Sequence, residues 1–369
     1  MKKIKVMSIF GTRPEAIKMA PLVKELESRE EIENIVCITA QHREMLDQVL
    51  ATFDITPDYD LDIMKQGQTL SDITTRALLG VDGVIKEAKP DIVLVHGDTT
   101  TTFAGGLAAF YNQVAIGHVE AGLRTYNKYS PFPEEMNRQM VDCMTDMYFA
   151  PTELSKDNLL KENIDPEKIY ITGNTAIDAM STTIKEGYTH PELEWLEGDK
   201  MILLTAHRRE NLGEPMRNIF RGIRKVLDEV EGIKVIYPIH KNPLVRQAAD
   251  EIFGDCDRVK LIEPLEVFDF HNFQNLAHII LSDSGGIQEE APSLGKPVLV
   301  LRDTTERPEG IAAGTLKLVG TDEDVIYKET IRLLTDEAEY EKMSKASNPY
   351  GDGHASERIV DAIIEKFSK

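Results

Sequence analysis

Three carboxylates and two arginines occur in or near polar loops that follow short apolar segments of the chain. Asp98 follows DIVLV within the sequence HGDTTTT, and Glu120 follows VAIGHV. Glu134 and Arg138 lie four residues apart in a predicted helix, so they share a face and can pair. With Arg13 beside them, such a cluster suits proton transfer near neutral pH, because neighbouring carboxylates shift each other's pKa values.

These groups also have ordinary structural interpretations. Asp98 precedes a run of threonines that favours a helix N-terminus, so it can simply cap that helix. The Glu134–Arg138 pair can be a surface ion pair that contributes roughly a few tenths of a kcal/mol. The segment GTRPE at 11–15 can be a plain turn, or its glycine, its arginine and the helix that follows can bind an anion.

Residues 278–295, HIILSDSGGIQEEAPSLG, predict a strand, a turn and a helix. Ser284, Gly285 and Gly286 would present N–H groups to a phosphate at the helix N-terminus, where the helix dipole adds to the attraction. Glu290, further along the helix, can accept two ribose hydroxyls. An arginine of the following RDTTERPE segment supplies charge against a diphosphate, so this segment predicts a nucleoside diphosphate ligand.

The strand MILLTA leads directly into His207, which two arginines follow. A histidine at a strand end beside guanidinium groups suits anion binding and acid–base chemistry, although a capping histidine with solvated arginines is the alternative. His207 has no H-x-x-x-H partner, so we do not expect zinc. His240 and Lys241 follow another predicted strand with a weaker case.

The elements that position these groups are short apolar strands that alternate with amphipathic helices. Continuous apolar strands between helices indicate parallel sheets covered on both faces, with ligands at the carboxyl ends of the strands. The predicted strands are 5–10, 34–39, 91–95, 114–118, 147–150, 168–171, 201–205, 234–238, 259–262, 278–282 and 297–301.

A polar segment at 185–200 interrupts this alternation, which predicts two domains joined by a hinge between about residues 170 and 200. The predicted fold class is α/β, with two Rossmann-like doubly wound domains that face each other across a cleft. We assign 1–170 and the C-terminal helix 355–369 to the first domain, and 171–354 to the second domain, which contains the predicted nucleoside diphosphate site.

The composition of the chain limits the kinds of molecule that it is expected to bind. The chain has 369 residues and a net charge of −21, which argues against nucleic-acid and anionic-membrane partners. Its three cysteines are far apart and lack metal-binding spacing, as expected in a reducing cytoplasm. The N-terminus reads as a first strand rather than a signal peptide, and no apolar run approaches the roughly 18 residues that span a bilayer.

Taken together, the motifs resemble the non-hydrolysing UDP-N-acetylglucosamine 2-epimerases, which have the two-domain fold called GT-B. The resemblance covers nearly the whole chain. The matching blocks are FGTRPEAIKMAPLV, TAQHREMLDQVL, VLVHGDTTTT, GHVEAGLRT, PEEMNRQ, TGNTAIDA, TAHRREN and DSGGIQEEAPSLGKPVLVLRDTTERPE.

The resemblance implies reversible conversion of UDP-N-acetylglucosamine into UDP-N-acetylmannosamine through a 2-acetamidoglucal and bound UDP, without metal or nicotinamide. It also implies a homodimer, and a product used in cell-surface polysaccharide. The positions that match the UDP site are Arg13, His207, Ser284, Gly285, Gly286, Glu290 and Arg307, with Phe270 against the uracil and backbone near Leu265 pairing to it. The positions that match the sugar and proton-transfer side are Lys18, Asp98, Glu120, Glu134 and Arg138.

Related enzymes bind a second UDP-N-acetylglucosamine as an allosteric activator, which the resemblance extends to this chain. The matching positions are Gln41, His42, Gln68, Glu134, Arg208 and His240. Gly67 stands where a basic side chain is expected in at least one such relative, which weakens the match at that position.

Three alternatives to the epimerase remain open at the level of sequence. A hydrolysing relative would release N-acetylmannosamine and UDP from the same intermediate, and a GT-B glycosyltransferase would use an acceptor. A catalytically inactive nucleotide-sugar sensor is the third. The assignment of base and acid among Asp98, Glu120, Glu134 and His207 is also open.

Overall fold

A computed structural model describes residues 2–40, 43–65, 67–305 and 307–368, apart from the side chains of Glu44 and Met45. The chain forms two compact units. The first contains Met1–Thr182 and Tyr350–Lys369, and the second contains Thr183–Pro349. Within the described ranges, no helix is both long and apolar enough to cross a membrane.

The first unit contains a seven-stranded sheet in which every strand pair is parallel. Its order is β3-β2-β1-β4-β5-β6-β7, so the winding reverses between β1 and β4. In doubly wound sheets, that switch point is where ligands bind. The strands are β1 (Ile4–Phe10), β2 (Ile32–Ile38), β3 (Tyr59–Asp60), β4 (Ile92–His96), β5 (Ala115–Val119), β6 (Met147–Ala150) and β7 (Ile169–Ile171).

The second unit contains a six-stranded parallel sheet with the same winding. Its order is β10-β9-β8-β11-β12-β13, which puts the switch point between β8 and β11. The strands are β8 (Lys200–Thr205), β9 (Ile233–Pro238), β10 (Val259–Ile262), β11 (Ile279–Ser282), β12 (Val298–Val300) and β13 (Leu316–Leu318).

Helices cover the sheets, and their amphipathic faces complete the cores. In the first unit, Met7 and Val93 of the sheet pack with Val81 and Ala108 of two helices. The helices are α1 (Arg13–Ser28), α2 (Arg43–Thr52), α3 (Leu70–Ala88), α4 (Thr100–Tyr111), α5 (Glu134–Asp142), α6 (Glu153–Lys161), α7 (Thr175–Thr183), α8 (Pro191–Glu194), α9 (Glu214–Glu229), α10 (Pro243–Phe253), α11 (Val267–Leu276), α12 (Gly285–Ser293), α13 (Pro308–Ala313), α14 (Glu323–Thr335), α15 (Glu337–Ser344) and α16 (Ala355–Phe367).

The predicted α/β class with two doubly wound parallel sheets is confirmed, and all eleven predicted strands occur, with ends shifted by two residues or fewer. The sequence reading missed β3 and β13. Both are short strands at a sheet edge, where pairing on one side requires no continuous apolar run. The domain boundary predicted at 170/171 falls inside β7, which pairs with β6, whereas the compact units divide after Thr182.

The last helix, α16, belongs to the first unit. Its N-terminus is held by Asp178 of α7, whose carboxylate accepts the backbone N–H groups of Ala355 at 3.2 Å and Ser356 at 2.7 Å. A carboxylate at this end of a helix satisfies free N–H groups and complements the helix dipole.

Candidate functional site

The loop after β1 is fixed by close packing at Gly11. A Cβ atom at this position would lie 1.9 Å from Oγ1 of Thr39 and 2.7 Å from Oγ1 of Thr101. The turn then enters α1, where Glu15 accepts the backbone N–H groups of Gly11 at 3.1 Å and Thr12 at 2.8 Å. Glycine is therefore required here by a close approach of side chains, and the helix begins with a capping box.

Glu15 also joins the loop after β1 to the loop after β4. Its Oε1 atom accepts from the hydroxyl of Thr99 at 2.7 Å and from that of Thr102 at 3.2 Å. Burial raises the pKa of Glu15, although these hydrogen bonds act in the opposite direction. Sequence analysis passed over this residue, and the signal that could have identified it is the T-x-x-E spacing of the capping box.

Asp98 lies in the loop after β4, and it does not cap the next helix. Thr99 is the N-cap of α4, and its hydroxyl accepts the N–H of Thr102 at 3.1 Å. The carboxylate of Asp98 instead contacts Nη2 of Arg138, and its carbonyl oxygen accepts from Nδ2 of Asn137 at 2.9 Å. The capping interpretation is therefore wrong, and Asp98 is held by α5.

The predicted pair between Glu134 and Arg138 is also corrected. In the described part of the chain, Arg138 contacts Asp98 and donates from Nη1 to Oε2 of Glu135 at 3.0 Å, while Glu134 is half-buried at the start of α5. Burial would raise the pKa of Glu135, but hydrogen bonds from the backbone of Thr125 and neighbouring groups outweigh it and lower that pKa. Glu135 is thus a buried carboxylate that fixes Arg138.

Glu120 follows β5 directly and adopts a left-handed backbone conformation, with φ of 68°. Its Oε2 atom contacts Nζ of Lys18, accepts from Nδ2 of Asn174 at 3.1 Å and lies 3.6 Å from Nε2 of His96. A Cβ atom added to Gly97 would lie 3.7 Å from Oε1 of Glu120, so this carboxylate is close to the loop of Asp98. The structure therefore brings Glu120, Lys18 and the Asp98 loop together.

His96 is buried beneath Glu120, and its Nε2 atom has no hydrogen-bond partner in the described part of the chain. Burial lowers the pKa of His96 to about 4, while the charge of Glu120 acts in the opposite direction. His96 is therefore neutral near pH 7. Sequence analysis did not select it.

In the second unit, α12 begins at Gly285 with Ser284 as its N-cap, as the motif predicts. The guanidinium of Arg307 lies against this glycine, since an added Cβ would be 3.0 Å from its Nη1 atom. Nε of Arg307 donates to Oε1 of Glu289 at 2.9 Å. Free N–H groups and a guanidinium thus meet at one helix N-terminus, an arrangement that favours an anionic ligand.

Glu290 lies one turn into α12, near that N-terminus. Its Oε2 atom accepts from Nε2 of Gln274 at 2.9 Å, and its Oε1 atom lies 3.4 Å from the position of a Cβ on Gly286. Phe270 and Leu265 pack at the edge of the apolar cluster that contains Ile287 of α12 and its neighbour Ala291. The structure therefore places Glu290 beside the predicted phosphate site, and Phe270 lies in α11, the helix that also carries Gln274.

The switch point of the second sheet contains a buried carboxylate that sequence analysis did not select. Oδ2 of Asp283 accepts the backbone N–H groups of His207 and Arg208, each at 2.9 Å, and Nδ2 of Asn211 at 3.1 Å. Oδ1 lies 3.5 Å from Nδ1 of His207, whose ring stacks on His240 with centroids 5.5 Å apart. Burial, opposed by Asp283, lowers the pKa of His207. Asp283 thus orients the loop that carries His207.

Four further predicted residues lie in the first unit. Arg13 is the first residue of α1. Oε1 of Gln68 accepts from the backbone of Lys65 at 3.1 Å and from Nη1 of Arg76 at 3.0 Å. Gln41 and His42 lie outside the described residues. Among the described residues, no group of three or more His, Cys, Asp or Glu side chains is arranged to hold a metal ion.

The parallel sheets and the charged loops at their switch points place the chain among the doubly wound α/β proteins. A family model described as UDP-N-acetylglucosamine 2-epimerase matches residues 24–364. The chain therefore belongs to the UDP-N-acetylglucosamine 2-epimerase family, which confirms the resemblance at the level of the family.

Individual relatives agree with this assignment. The chain is 67% identical to the UDP-N-acetylglucosamine 2-epimerase of Bacillus subtilis (strain 168), over 99% of this chain and 96% of that protein. It is similar to the S. aureus protein MnaA solved with UDP, with a TM-score of 0.89 and 58% identity, over 100% of this chain and 97% of that one. The Neisseria meningitidis UDP-GlcNAc 2-epimerase bound to UDP-GlcNAc matches with a TM-score of 0.88 and 51% identity, over 98% and 100% of the two chains.

Proposed function

We propose that the protein interconverts UDP-N-acetylglucosamine and UDP-N-acetylmannosamine at C2 without net hydrolysis. The observation that carries the proposal is a pair of carboxylates at the carboxyl ends of β4 and β5, each contacted by a cation. Asp98 contacts Arg138, and Glu120 contacts Lys18. Each cation holds its carboxylate in place, and a group that transfers a proton must be held in position relative to the reacting atom.

The reaction proceeds by elimination and re-addition. A carboxylate removes the proton from C2 while the C1–O bond to UDP breaks, and the electrons of the C–H bond form the C1=C2 double bond of a 2-acetamidoglucal. A proton then returns to C2 from the opposite face, and an oxygen of the UDP diphosphate adds back to C1. Because the C2 proton is weakly acidic, stabilisation of the departing diphosphate is essential.

We assign that stabilisation to the second unit. The N-terminus of α12, with Ser284, Gly285 and Gly286, would hold the diphosphate together with Arg307. Glu290 would accept the ribose hydroxyls, while Phe270 and the backbone near Leu265 would hold the uracil. The S. aureus relative solved with UDP and the N. meningitidis relative bound to UDP-GlcNAc support this choice of ligand.

The remaining roles extend this proposal. Arg13 would add charge against the diphosphate, His207 and Glu134 would take part in binding or proton transfer, and a homodimer would be the functional form in the cytoplasm. A second UDP-N-acetylglucosamine would act as an activator through Gln41, His42, Gln68, Arg208 and His240. The product would supply N-acetylmannosamine units for cell-surface polysaccharide.

Proton NMR of the purified protein with UDP-N-acetylglucosamine in D2O tests the proposal. The expected result is UDP-N-acetylmannosamine with deuterium at C2, formed without added metal or acceptor. Accumulation of free N-acetylmannosamine and UDP would instead identify a hydrolysing enzyme. A sugar nucleotide that stays unchanged and undeuterated would overturn the proposal and leave an acceptor-dependent transferase or a sensor.

A further inference from the structure

His118 is a buried residue of β5 that contacts two other segments of the first unit. Its side chain has no solvent exposure. Nε2 lies 2.7 Å from the carbonyl oxygen of Gly97, and Nδ1 lies 2.6 Å from Oδ1 of Asp142. Since a carbonyl oxygen can only accept, Nε2 must carry a proton.

The second ring nitrogen contacts a buried carboxylate. Asp142 is buried, and Nη2 of Arg124 lies 2.6 Å from its Oδ2 atom. Burial would raise the pKa of Asp142, but the charges of and hydrogen bonds from His118 and Arg124 outweigh it and lower that pKa. Asp142 is therefore a carboxylate, and the His118 ring links this carboxylate to the carbonyl oxygen of Gly97.

The two residues that His118 contacts belong to the segments that carry Asp98 and Arg138. Gly97 immediately precedes Asp98, and Asp142 is the last residue of α5, the helix that carries Arg138. We propose that His118 is a positioning residue, whose ring holds the Gly97 carbonyl and thereby sets the place of Asp98 relative to α5. This inference rests on the proposed function, because the place of Asp98 matters for turnover only if its carboxylate acts on the sugar.

Burial of this polar ring beside Asp142 is hard to explain by stability alone. Taking a carboxylate and its partner out of water is expensive, and apolar side chains of similar volume often stabilise a core equally well. The ring instead adds to other restraints on the Asp98 segment, where the N–H of Gly97 also donates to the carbonyl oxygen of Val119 at 2.9 Å. Asn137 holds the Asp98 carbonyl, and Arg138 contacts the Asp98 carboxylate. A displacement of about 1 Å at a reacting group can cost roughly 100-fold in rate.

The variants His118→Gln and His118→Asn distinguish a positioning role of His118 from a purely structural one. In His118→Gln, the amide nitrogen can take the place of Nε2 and still donate to Gly97. In His118→Asn, it can take the place of Nδ1 and donate only to Asp142. Each variant keeps one of the two hydrogen bonds of the ring and loses the other, so their melting temperatures should fall by similar amounts. We expect kcat for the interconversion to fall less than about 10-fold in the Gln variant and about 100-fold in the Asn variant.

Two further readouts complete the test. UDP affinity should change less than twofold in both variants, because the hydrogen bonds of the ring go to Gly97 and Asp142, and neither residue is proposed to bind UDP. Equal loss of kcat in the Gln and Asn variants would overturn the inference, as would a parallel loss of UDP affinity. If the unmodified protein fails to epimerise, the proposed function fails instead, so the two failures are distinguishable.

The variant Asp142→Asn tests the positioning role of His118 if neither histidine variant folds. An asparagine at this position can still pair with Nδ1, so Nε2 keeps its contact with Gly97. The expected result is a lower melting temperature with kcat within about 10-fold of the unmodified protein. A folded Asp142→Asn variant whose kcat falls about 100-fold or more would overturn the inference.

Discussion

Lys18 and Glu120 form an ion pair inside the first unit, although 102 residues separate them in the chain. The pair joins α1 to the end of β5 and leaves only 9% of the Glu120 side chain exposed. Glu120 holds a left-handed conformation, which costs a non-glycine residue on the order of 1–3 kcal/mol. Contacts from Lys18 and Asn174 offset that cost, so the carboxylate is held in one orientation.

Glu120→Gln should slow epimerisation by about 100-fold or more, because the amide keeps the shape of the carboxylate but cannot exchange a proton. The measurement is kcat by NMR, with circular dichroism as a check on folding. Glu33→Gln is a suitable control, since Glu33 is an exposed residue paired with Lys5. Near-normal turnover in the Glu120 variant would remove this residue from proton transfer.

Asp98→Asn should also lower kcat by about 100-fold or more. An asparagine can still accept a hydrogen bond from Arg138, so a loss of turnover would report the loss of the ionisable group rather than of the loop conformation. The same NMR assay in D2O also follows deuterium incorporation at C2. If the Asp98→Asn variant turns over substrate and incorporates deuterium at rates near those of the unmodified protein, Asp98 has no role in proton transfer.

Arg307→Ala should weaken UDP binding by about 1.5–3 kcal/mol, as expected for loss of a hydrogen bond to a charged group. The physical reason is the guanidinium that lies against Gly285 at the start of α12. Isothermal titration calorimetry with UDP measures the change. Arg246→Ala, which removes an exposed partner of Glu263, should leave the affinity unaltered. An unchanged titration for Arg307→Ala would exclude Arg307 from the UDP site.

The regular alternation of apolar strands with amphipathic helices made much of the fold predictable from the sequence. Strands buried on both faces need continuous apolar runs, and these runs located every strand except β3 and β13 at the sheet edges. Local turn chemistry also predicted the start of α12 at Gly285. These features depend on residues that are neighbours in the chain.

The ion-pair and hydrogen-bond partners of the charged side chains were not predictable in the same way. Helical spacing suggested Glu134 as the partner of Arg138, but the fold supplies Asp98 from 40 residues away and Glu135 from the same helix. Asp283 and Glu15 were missed for a related reason, since each acts on a loop through contacts that depend on the fold. Spacing identifies candidates, and tertiary packing decides which of them meet.

His96 should make stability depend on pH in mildly acidic solution. The pKa of an unfolded histidine is about 6.5, and burial lowers the pKa of His96 in the native protein to about 4. Between these values the unfolded chain binds a proton that the native chain does not, so stability falls as the pH falls from about 6.5 to 4. The effect can reach on the order of 3 kcal/mol.

His96→Gln should remove this contribution. The drop in melting temperature between pH 7 and pH 5 should be smaller than in the unmodified protein. It should not vanish, because burial also lowers the pKa of His278 to about 4. His354→Gln, at an exposed position, is the control and should keep the original dependence. An identical dependence in His96→Gln would show that His96 is not the group responsible.

Gly11→Ala should destabilise the protein although the change adds a single methyl group. That methyl group would lie 1.9 Å from Oγ1 of Thr39, and both Thr39 and Thr101 are fully buried, so neither hydroxyl can move aside without disturbing its neighbours. Overpacking of this kind typically costs about 1–3 kcal/mol. Turnover should fall as well, because the N–H of Gly11 donates to Glu15, which joins the loops after β1 and β4.

Gly83→Ala provides the matched control for this prediction. Gly83 lies within α3, where an added Cβ would meet no atom within 4 Å. Alanine in a helix interior is favoured over glycine by about 0.5–1 kcal/mol, so the melting temperature should rise slightly. The two substitutions are chemically identical and should change the melting temperature in opposite directions. If both variants melt at the same temperature, the loop after β1 can relax around a methyl group, and the close approach at Gly11 does not determine its conformation.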